Sequence, residues 1–154
     1  MSQEPTPQRV PKHPGSTSEA VSARMSVARR RDTAPELAVR RLLHARGLRF
    51  RVNYAIPGQR RRTIDIAFTR PRVAVFIDGC FWHGCPEHGT QPQRNSAWWQ
   101  AKLAANRARD ADSDAILRAQ GWSVVRVWEH ELPDLAAARI AEHVAAARLR
   151  RPDD

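Results

Sequence analysis

The run VAVFID, residues 73–78, constrains the fold most strongly, because five apolar residues before an acid are typical of a strand buried on both faces. The periodicity of the remaining chain predicts six further elements: strands at 48–54, 63–68 and 122–128, and helices at 34–46, 97–119 and 133–150. The order α-β-β-β-α-β-α predicts an α/β domain with a mixed central sheet and the apolar strand at its centre.

Capping and turn residues set the predicted boundaries of these elements. Thr33-Ala-Pro-Glu36 has the pattern of a capping box with proline in the first turn, and Gly47 is expected to end that helix. Ser96 is predicted to cap the second helix. Residues 56–62, IPGQRRR, are predicted to form a basic turn between the first two strands.

The ends of the chain differ in composition from its middle. Residues 1–22 carry four prolines without apolar periodicity, which predicts a disordered tail before a single domain at 23–150 and a short tail at 151–154. No apolar run is long enough to span a bilayer, and the N-terminus lacks the apolar region of a secretory signal. We therefore expect a cytoplasmic protein with no membrane partner.

The positive charge is concentrated in one segment. Residues 24–62 contain 12 arginines and two acids, a net charge of +10 that equals the net charge of the whole chain. Arginine-rich coding would raise the charge throughout the chain, and a merely solvated surface would need no such concentration. The segment therefore predicts a phosphate-binding face.

Two carboxylates belong to adjacent predicted strands. Asp65 lies between two isoleucines in the second strand, where an acid without a partner is costly, and Asp78 ends the third strand. A tight turn between these strands would bring the two acids together, as Mg²⁺ sites require. For Asp78 the alternative is turn chemistry, because Asp-Gly is a common turn pair.

Both cysteines and two histidines form a potential zinc site. Cys80, Cys85 and His88 lie within nine residues, and His130 follows the fourth predicted strand, which we expect beside the third. The alternative is a pair of buried thiols with unrelated histidines. With no export signal, a metal site is favoured over a disulfide.

Aromatic pairs flank this cluster. Phe81-Trp82 precedes it and Trp98-Trp99 follows the loop. Such side chains could act as wedges between base pairs, or they could belong to the core. The residue types alone leave both alternatives open.

The element order and the two acids resemble the restriction-endonuclease-like nuclease core. In that superfamily the acids hold Mg²⁺ at the scissile phosphate, and a lysine two residues after the second acid assists the attacking water. Cys80 occupies that position here. His83 is the predicted substitute, because a neutral imidazole accepts a proton near pH 7.

A more specific resemblance, to the very-short-patch repair (Vsr) mismatch endonucleases, extends over about residues 22–132. The blocks that carry it are Arg24-Met25, Arg31-Asp32-Thr33-x2-Glu36, Gly47-Leu48-x-Phe50-Arg51-Val52, Pro57-Gly58, Asp65, Gly79-Cys80-Phe81-Trp82-His83, Trp99-x2-Lys102-x3-Asn106-x2-Arg109-Asp110, Gly121-Trp122-x-Val124 and Val127-Trp128-Glu129. The resemblance implies a restriction-endonuclease-like core with a structural zinc site, and an enzyme that nicks the T-bearing strand at T:G mismatches left by deamination of 5-methylcytosine.

The resemblance also implies residue roles. Asp65 and the backbone carbonyl of Ile77 would hold Mg²⁺, with Asp78 as a second carboxylate. His83 would be the general base, and Glu36 would hold metal-bound water or His83. Zinc on the four Cys and His ligands would be structural.

DNA contacts follow from the same resemblance. Three aromatic side chains would form a wedge entering from the major groove: Phe81, Trp82 and Trp99. Met25 would insert from the opposite groove, and Lys102 and Asn106 would contact bases near the mismatch.

The sequence thus predicts a monomeric, Mg²⁺-dependent mismatch endonuclease that acts on double-stranded DNA of the nucleoid. One alternative is a restriction-type or related nuclease of the same core without mismatch preference. Another is a zinc-containing DNA-binding protein without catalytic activity.

Overall fold

The structure, a computed structural model, describes residues 32–80 and 95–151. The predicted tail at 1–22 lies outside the described residues. The helices and strands are α1 Ala34–Ala45, β1 Arg51–Ile56, β2 Gln59–Phe68, β3 Val73–Asp78, α2 Ser96–Ala119, β4 Ser123–Trp128 and α3 Pro133–Arg150. Over the described ranges, the predicted order of elements is confirmed.

The predicted bounds are most accurate for β3 and α3 and least accurate for the first hairpin. β1 begins at Arg51 rather than at residue 48, and β2 begins at Gln59 rather than at residue 63. The predicted turn at 56–62 is present but shorter, because Pro57 and Gly58, the latter at φ 84°, form it and the arginines after it belong to β2. The side chains of these arginines lie at the more exposed end of β2, where a charged side chain does not disfavour the pairing of β2 with β1.

Two predicted caps differ from the structure. Thr33 is the N-cap of α1 but makes no side-chain cap, and Glu36 Oε2 instead accepts a hydrogen bond from the Asp32 N–H at 3.1 Å. Ser96 is the first residue of α2 rather than its cap. Asn95 holds the N-cap position in the left-handed region, at φ 59°, which asparagine tolerates better than most residues.

The sheet has the strand order β1-β2-β3-β4, with two antiparallel pairs followed by the parallel pair β3–β4. The prediction of a mixed sheet with β4 beside β3 is confirmed. Ala67 pairs with Ala74, and Phe76 pairs with Arg126. Because side chains alternate along a strand, Asp65, Asp78 and Arg126 project from the same face.

Helices cover both faces of the sheet. On one face α1 and α3 enclose a core that includes Leu43, Phe68 and Ile140. On the other face Phe76 packs in a second cluster with Leu117 of α2. The acids and Arg126 therefore lie on the face that α2 covers. None of the described helices is both long and apolar enough to cross a membrane.

Candidate active site

Asp65 and the main chain of β3 are joined directly. The half-buried Asp65 carboxylate accepts a hydrogen bond from the Ile77 N–H at 2.8 Å. Antiparallel pairing of β2 with β3 brings the two residues together, although 12 positions separate them. The structure thus places the predicted metal carboxylate against the residue whose carbonyl is the second predicted ligand.

Asp78 lies in a network centred on Arg126. One guanidinium nitrogen of Arg126 donates to both Asp78 oxygens, at 2.8 and 3.1 Å, and another donates to Asp114 at 2.7 Å. Asp110 lies 3.9 Å from the same guanidinium, which also stacks 4.4 Å from the centre of the Phe76 ring. Asp78 is 7% exposed, so its charge is balanced mainly within the protein.

The charged state of Arg126 is strongly favoured. Burial by itself lowers its pKa, but the hydrogen bond to Asp114 and the negative charges of Asp78 and Asp110 outweigh burial, and the pKa is raised. Arg126 therefore remains a cation throughout the working pH range.

Both predicted acids line one cavity of about 290 Å³ between the sheet and α2, which we call the acidic cleft. Three arginines besides Arg126 also line it: Arg61, Arg62 and Arg109. Arg62 forms an ion pair with Asp112 at 2.6 Å. The cleft thus combines carboxylates with cations, a combination that suits a metal and a phosphate together.

Sequence reasoning missed Arg126. A signal was present, since a single arginine inside the apolar run WSVVRVW implies a buried acidic partner. The partners come from β3 and α2, so their identity required the fold.

Glu36 is a buried acid at the first turn of α1. Its carboxylate accepts from the Asp32 N–H and from Arg40, the latter at 3.3 Å. Burial raises the pKa of Glu36 above its ordinary value, and these two interactions oppose that increase without cancelling it. A carboxyl with a raised pKa is suited to carry a proton.

Two of the four predicted zinc ligands are in contact. Cys80 Sγ lies 3.1 Å from His130 Nδ1, and Glu129 Oε1 accepts from the Cys80 N–H at 3.1 Å. In a tetrahedral zinc site, a sulfur and a nitrogen ligand lie about 3.6 Å apart. The parallel pairing of β3 with β4 therefore brings together ligands that are 50 residues apart.

Six predicted site residues lie outside the described residues: Met25, Phe81, Trp82, His83, Cys85 and His88. Within residues 32–80 and 95–151, no three His, Cys, Asp or Glu side chains form a group that could hold a metal ion. The predicted zinc and magnesium ligand sets therefore stay predictions.

The predicted DNA contacts on α2 begin with an aromatic pair. Trp99 is 6% exposed and packs edge-to-face against the half-buried Trp98, with ring centroids 4.6 Å apart. Lys102 and Asn106 follow on α2, four positions apart and half-buried. Their spacing places them on one face of the helix, as predicted.

Known proteins are similar to most of the chain. The family model "DNA mismatch endonuclease Vsr" matches residues 16–88. The Type II nicking enzyme V.NaeI of Lentzea aerocolonigenes is 46% identical over 121 residues, which cover 76% of this chain and 72% of that protein. The Type II nicking enzyme V.XorIIP of Xanthomonas oryzae is 45% identical over 118 residues, which cover 73% of this chain and 82% of that protein.

A third relative is the DNA mismatch endonuclease Vsr of Escherichia coli. It is 34% identical over 113 residues, which cover 70% of this chain and 68% of that protein. The mixed four-stranded α/β sheet is consistent with the restriction-endonuclease-like fold predicted for such a chain. The chain therefore belongs to the Vsr family and is an endodeoxyribonuclease.

Proposed function

We propose that the chain is a Mg²⁺-dependent endonuclease that nicks the T-bearing strand at T:G mismatches arising from deamination of 5-methylcytosine, in very short patch repair. The observation that carries the proposal is the hydrogen bond between Asp65 and Ile77 at the acidic cleft. Support also comes from the family and from the E. coli relative, which is named a mismatch endonuclease.

The residues at the cleft fit a magnesium ion. Asp65 offers carboxylate oxygens, and the neighbouring Ile77 offers a main-chain carbonyl. Magnesium binds oxygen ligands and commonly needs only one or two carboxylates, with phosphate and water completing its shell. Asp78 is the less accessible of the two acids, because both its oxygens accept from Arg126.

When bound, Mg²⁺ would lower the pKa of an attacking water and offset negative charge at the phosphate. Asp65, fixed by the Ile77 N–H, would supply an oriented carboxylate to the site. Arg61 and Arg109 at the cleft would attract the phosphate. His83 would accept the proton of the attacking water.

Glu36 would serve as an accessory group. Its carboxyl group, whose pKa is raised by burial, would hold metal-bound water or orient His83.

We propose a structural zinc ion held by Cys80, Cys85, His88 and His130. The contact between Cys80 and His130 supports this ligand set. The zinc would fix the segment that carries Phe81, Trp82 and His83 to the ends of β3 and β4, where Asp78 also lies.

Mismatch selectivity would come from unstacking. A mismatched pair is less costly to separate than a matched pair, so aromatic side chains inserted beside it favour T:G over T:A. Phe81, Trp82 and Trp99 would form this wedge, for which the buried Trp99 would have to leave its packing against Trp98. Met25 would enter from the opposite groove. Lys102 and Asn106 would contact the neighbouring bases.

A second candidate function is nicking at a defined sequence in fully paired DNA. The observation that favours it is that relatives at 46% and 45% identity are named Type II nicking enzymes. The same cleft chemistry would serve both functions, and the difference lies in whether cutting requires the mispaired thymine.

The test uses one flanking sequence in duplexes that carry T:G, T:A or C:G at the central pair, with each strand labelled separately. The proposal expects Mg²⁺-dependent nicking of the T-bearing strand in the T:G duplex and little cutting of the paired duplexes. Asp65→Ala should abolish nicking. Equal cutting of T:G and T:A would overturn mismatch preference in favour of the second candidate.

A further inference from the structure

A second cavity, of about 650 Å³, lies at the other end of the sheet from Asp78. Five arginines from separate parts of the chain line it: Arg49, Arg51, Arg70, Arg148 and Arg151. The β2–β3 turn, residues 69–72, forms one side, and the end of α3 forms another. We call this the arginine cavity.

The arginine cavity has no acidic side chain among its described lining residues. None of the ion pairs within the described ranges includes Arg49, Arg70 or Arg148. Converging cations repel one another unless an anion lies between them. The arginine cavity is therefore complementary to a ligand with several negative charges.

Ordered contacts support the walls of the cavity. Phe50 packs edge-to-face against Phe68, with ring centroids 5.7 Å apart, and Pro71 is buried. Arg49 donates to the Leu48 carbonyl at 3.1 Å, and Arg151 donates to the Gly121 carbonyl at 3.3 Å. Packed neighbours, Phe50 and Pro71, thus anchor two of the segments that present the arginines.

We infer that the arginine cavity is a second DNA contact, which binds the sugar–phosphate backbone away from the phosphate that is cut. Guanidinium groups bind phosphate oxygens through paired hydrogen bonds, and the substrate of this enzyme family supplies such phosphates in series. The cavity exceeds the size of a single phosphate, which favours a stretch of backbone over an isolated anion.

We place the second contact about one strand length from the acidic cleft. β3 separates the two ends of the sheet and, with six residues, extends over about 16 Å. That length corresponds to about five base pairs along a DNA strand. The contact would be independent of sequence and mismatch, so this inference requires DNA as substrate but not the proposed T:G preference.

The test measures binding of fully paired duplex DNA by fluorescence anisotropy, without added Mg²⁺ and without chelator. Arg49→Gln, Arg70→Gln and Arg148→Gln are compared singly and together. Each single change should weaken binding about fivefold at about 0.15 M salt and reduce the salt slope by about 0.9. The triple variant should show the losses of affinity and of salt slope of all three single variants combined. Its thermal unfolding curve should stay close to that of the parent protein.

Arg118→Gln is the matched control. Arg118 is exposed on α2 and lines neither cavity, and its substitution removes the same charge. It should leave the salt slope nearly unchanged. An unchanged slope in the triple variant, or an equal decrease in the control, would overturn the second contact.

Duplex length provides an independent test. Two shortened duplexes are made, and in each one flank ends about three base pairs from the cut site. With one of the two, the triple variant should bind as tightly as the parent protein, because the contacted stretch of backbone is missing. If the triple variant weakens binding to both shortened duplexes as much as to the long one, the contact is not at the inferred distance. Nicking kinetics with long duplex should show an increased KM and a nearly unchanged kcat.

Discussion

Arg126 donates hydrogen bonds to both carboxylate oxygens of Asp78, at 2.8 and 3.1 Å, and also holds Asp114 of α2 at 2.7 Å. The pair joins the parallel neighbours β3 and β4, and Asp114 extends the network to α2, the helix that covers this face of the sheet. Asp65 differs from Asp78, because its carboxylate accepts a hydrogen bond from the neutral Ile77 N–H. The two acids of the cleft are therefore chemically unequal.

We expect Asp65→Asn to abolish saturable Mn²⁺ or Mg²⁺ binding by titration calorimetry and to lower kcat by at least about 100-fold, because a metal carboxylate is lost. Asp78→Asn should leave metal affinity within about threefold, because its charge is already balanced by Arg126. Loss of metal binding in Asp78→Asn would instead identify Asp78 as a metal ligand.

Arg126→Met should lower the free energy of unfolding by about 3 kcal/mol, because it leaves three acids around a partly buried position without their cation. Asp78→Asn should lower the free energy of unfolding by a smaller amount, since Arg126 keeps its hydrogen bond to Asp114. Urea unfolding of both variants measures the difference. A smaller loss for Arg126→Met than for Asp78→Asn would contradict the central position of Arg126.

Zinc should be present at about one equivalent per chain in protein purified without chelator. Cys80→Ser and His130→Ala should each reduce the zinc content, measured by elemental analysis. His143→Ala, at an exposed histidine of α3, is the control and should retain zinc. Parent protein without zinc, or unchanged zinc in Cys80→Ser, would rule out the proposed ligand set.

The raised pKa of Glu36 makes stability depend on pH. Burial raises the folded-state pKa above the ordinary value of 4.5, so the folded protein holds the Glu36 proton more tightly than the unfolded chain. The Glu36 contribution therefore becomes destabilising as pH rises from about 4.5 through the folded-state pKa. Glu36→Gln should accordingly gain stability relative to the parent protein between pH 4 and pH 7.

The measurement for Glu36 is urea unfolding of both proteins across that pH range. Asp134→Asn, an exposed acid in the first turn of α3, serves as the control for removing one carboxylate. A stability difference between Glu36→Gln and the parent that decreases with rising pH would contradict the assigned direction.

Local sequence determined the elements whose signals need no distant partner. The apolar run at 73–78 predicted β3, and Pro133 with the periodic alanines predicted α3, each with the bounds found in the structure. Asp65 stood out because an acid between isoleucines needs a partner wherever the strand lies. The first hairpin was less well predicted, since the arginines of β2 become strand residues only through pairing with β1.

Only the tertiary structure decided which charges meet. The predicted single basic face divides: Arg40 pairs with Asp32 and Glu36, Arg61 lines the acidic cleft, and Arg49 lines the arginine cavity. The reason is geometric, because β1 runs from one end of the sheet to the other, so Arg49 before the strand and Arg61 after its turn lie at opposite ends. Arg126 likewise meets Asp78 only because β4 pairs in parallel with β3, a register that joins residues 48 positions apart.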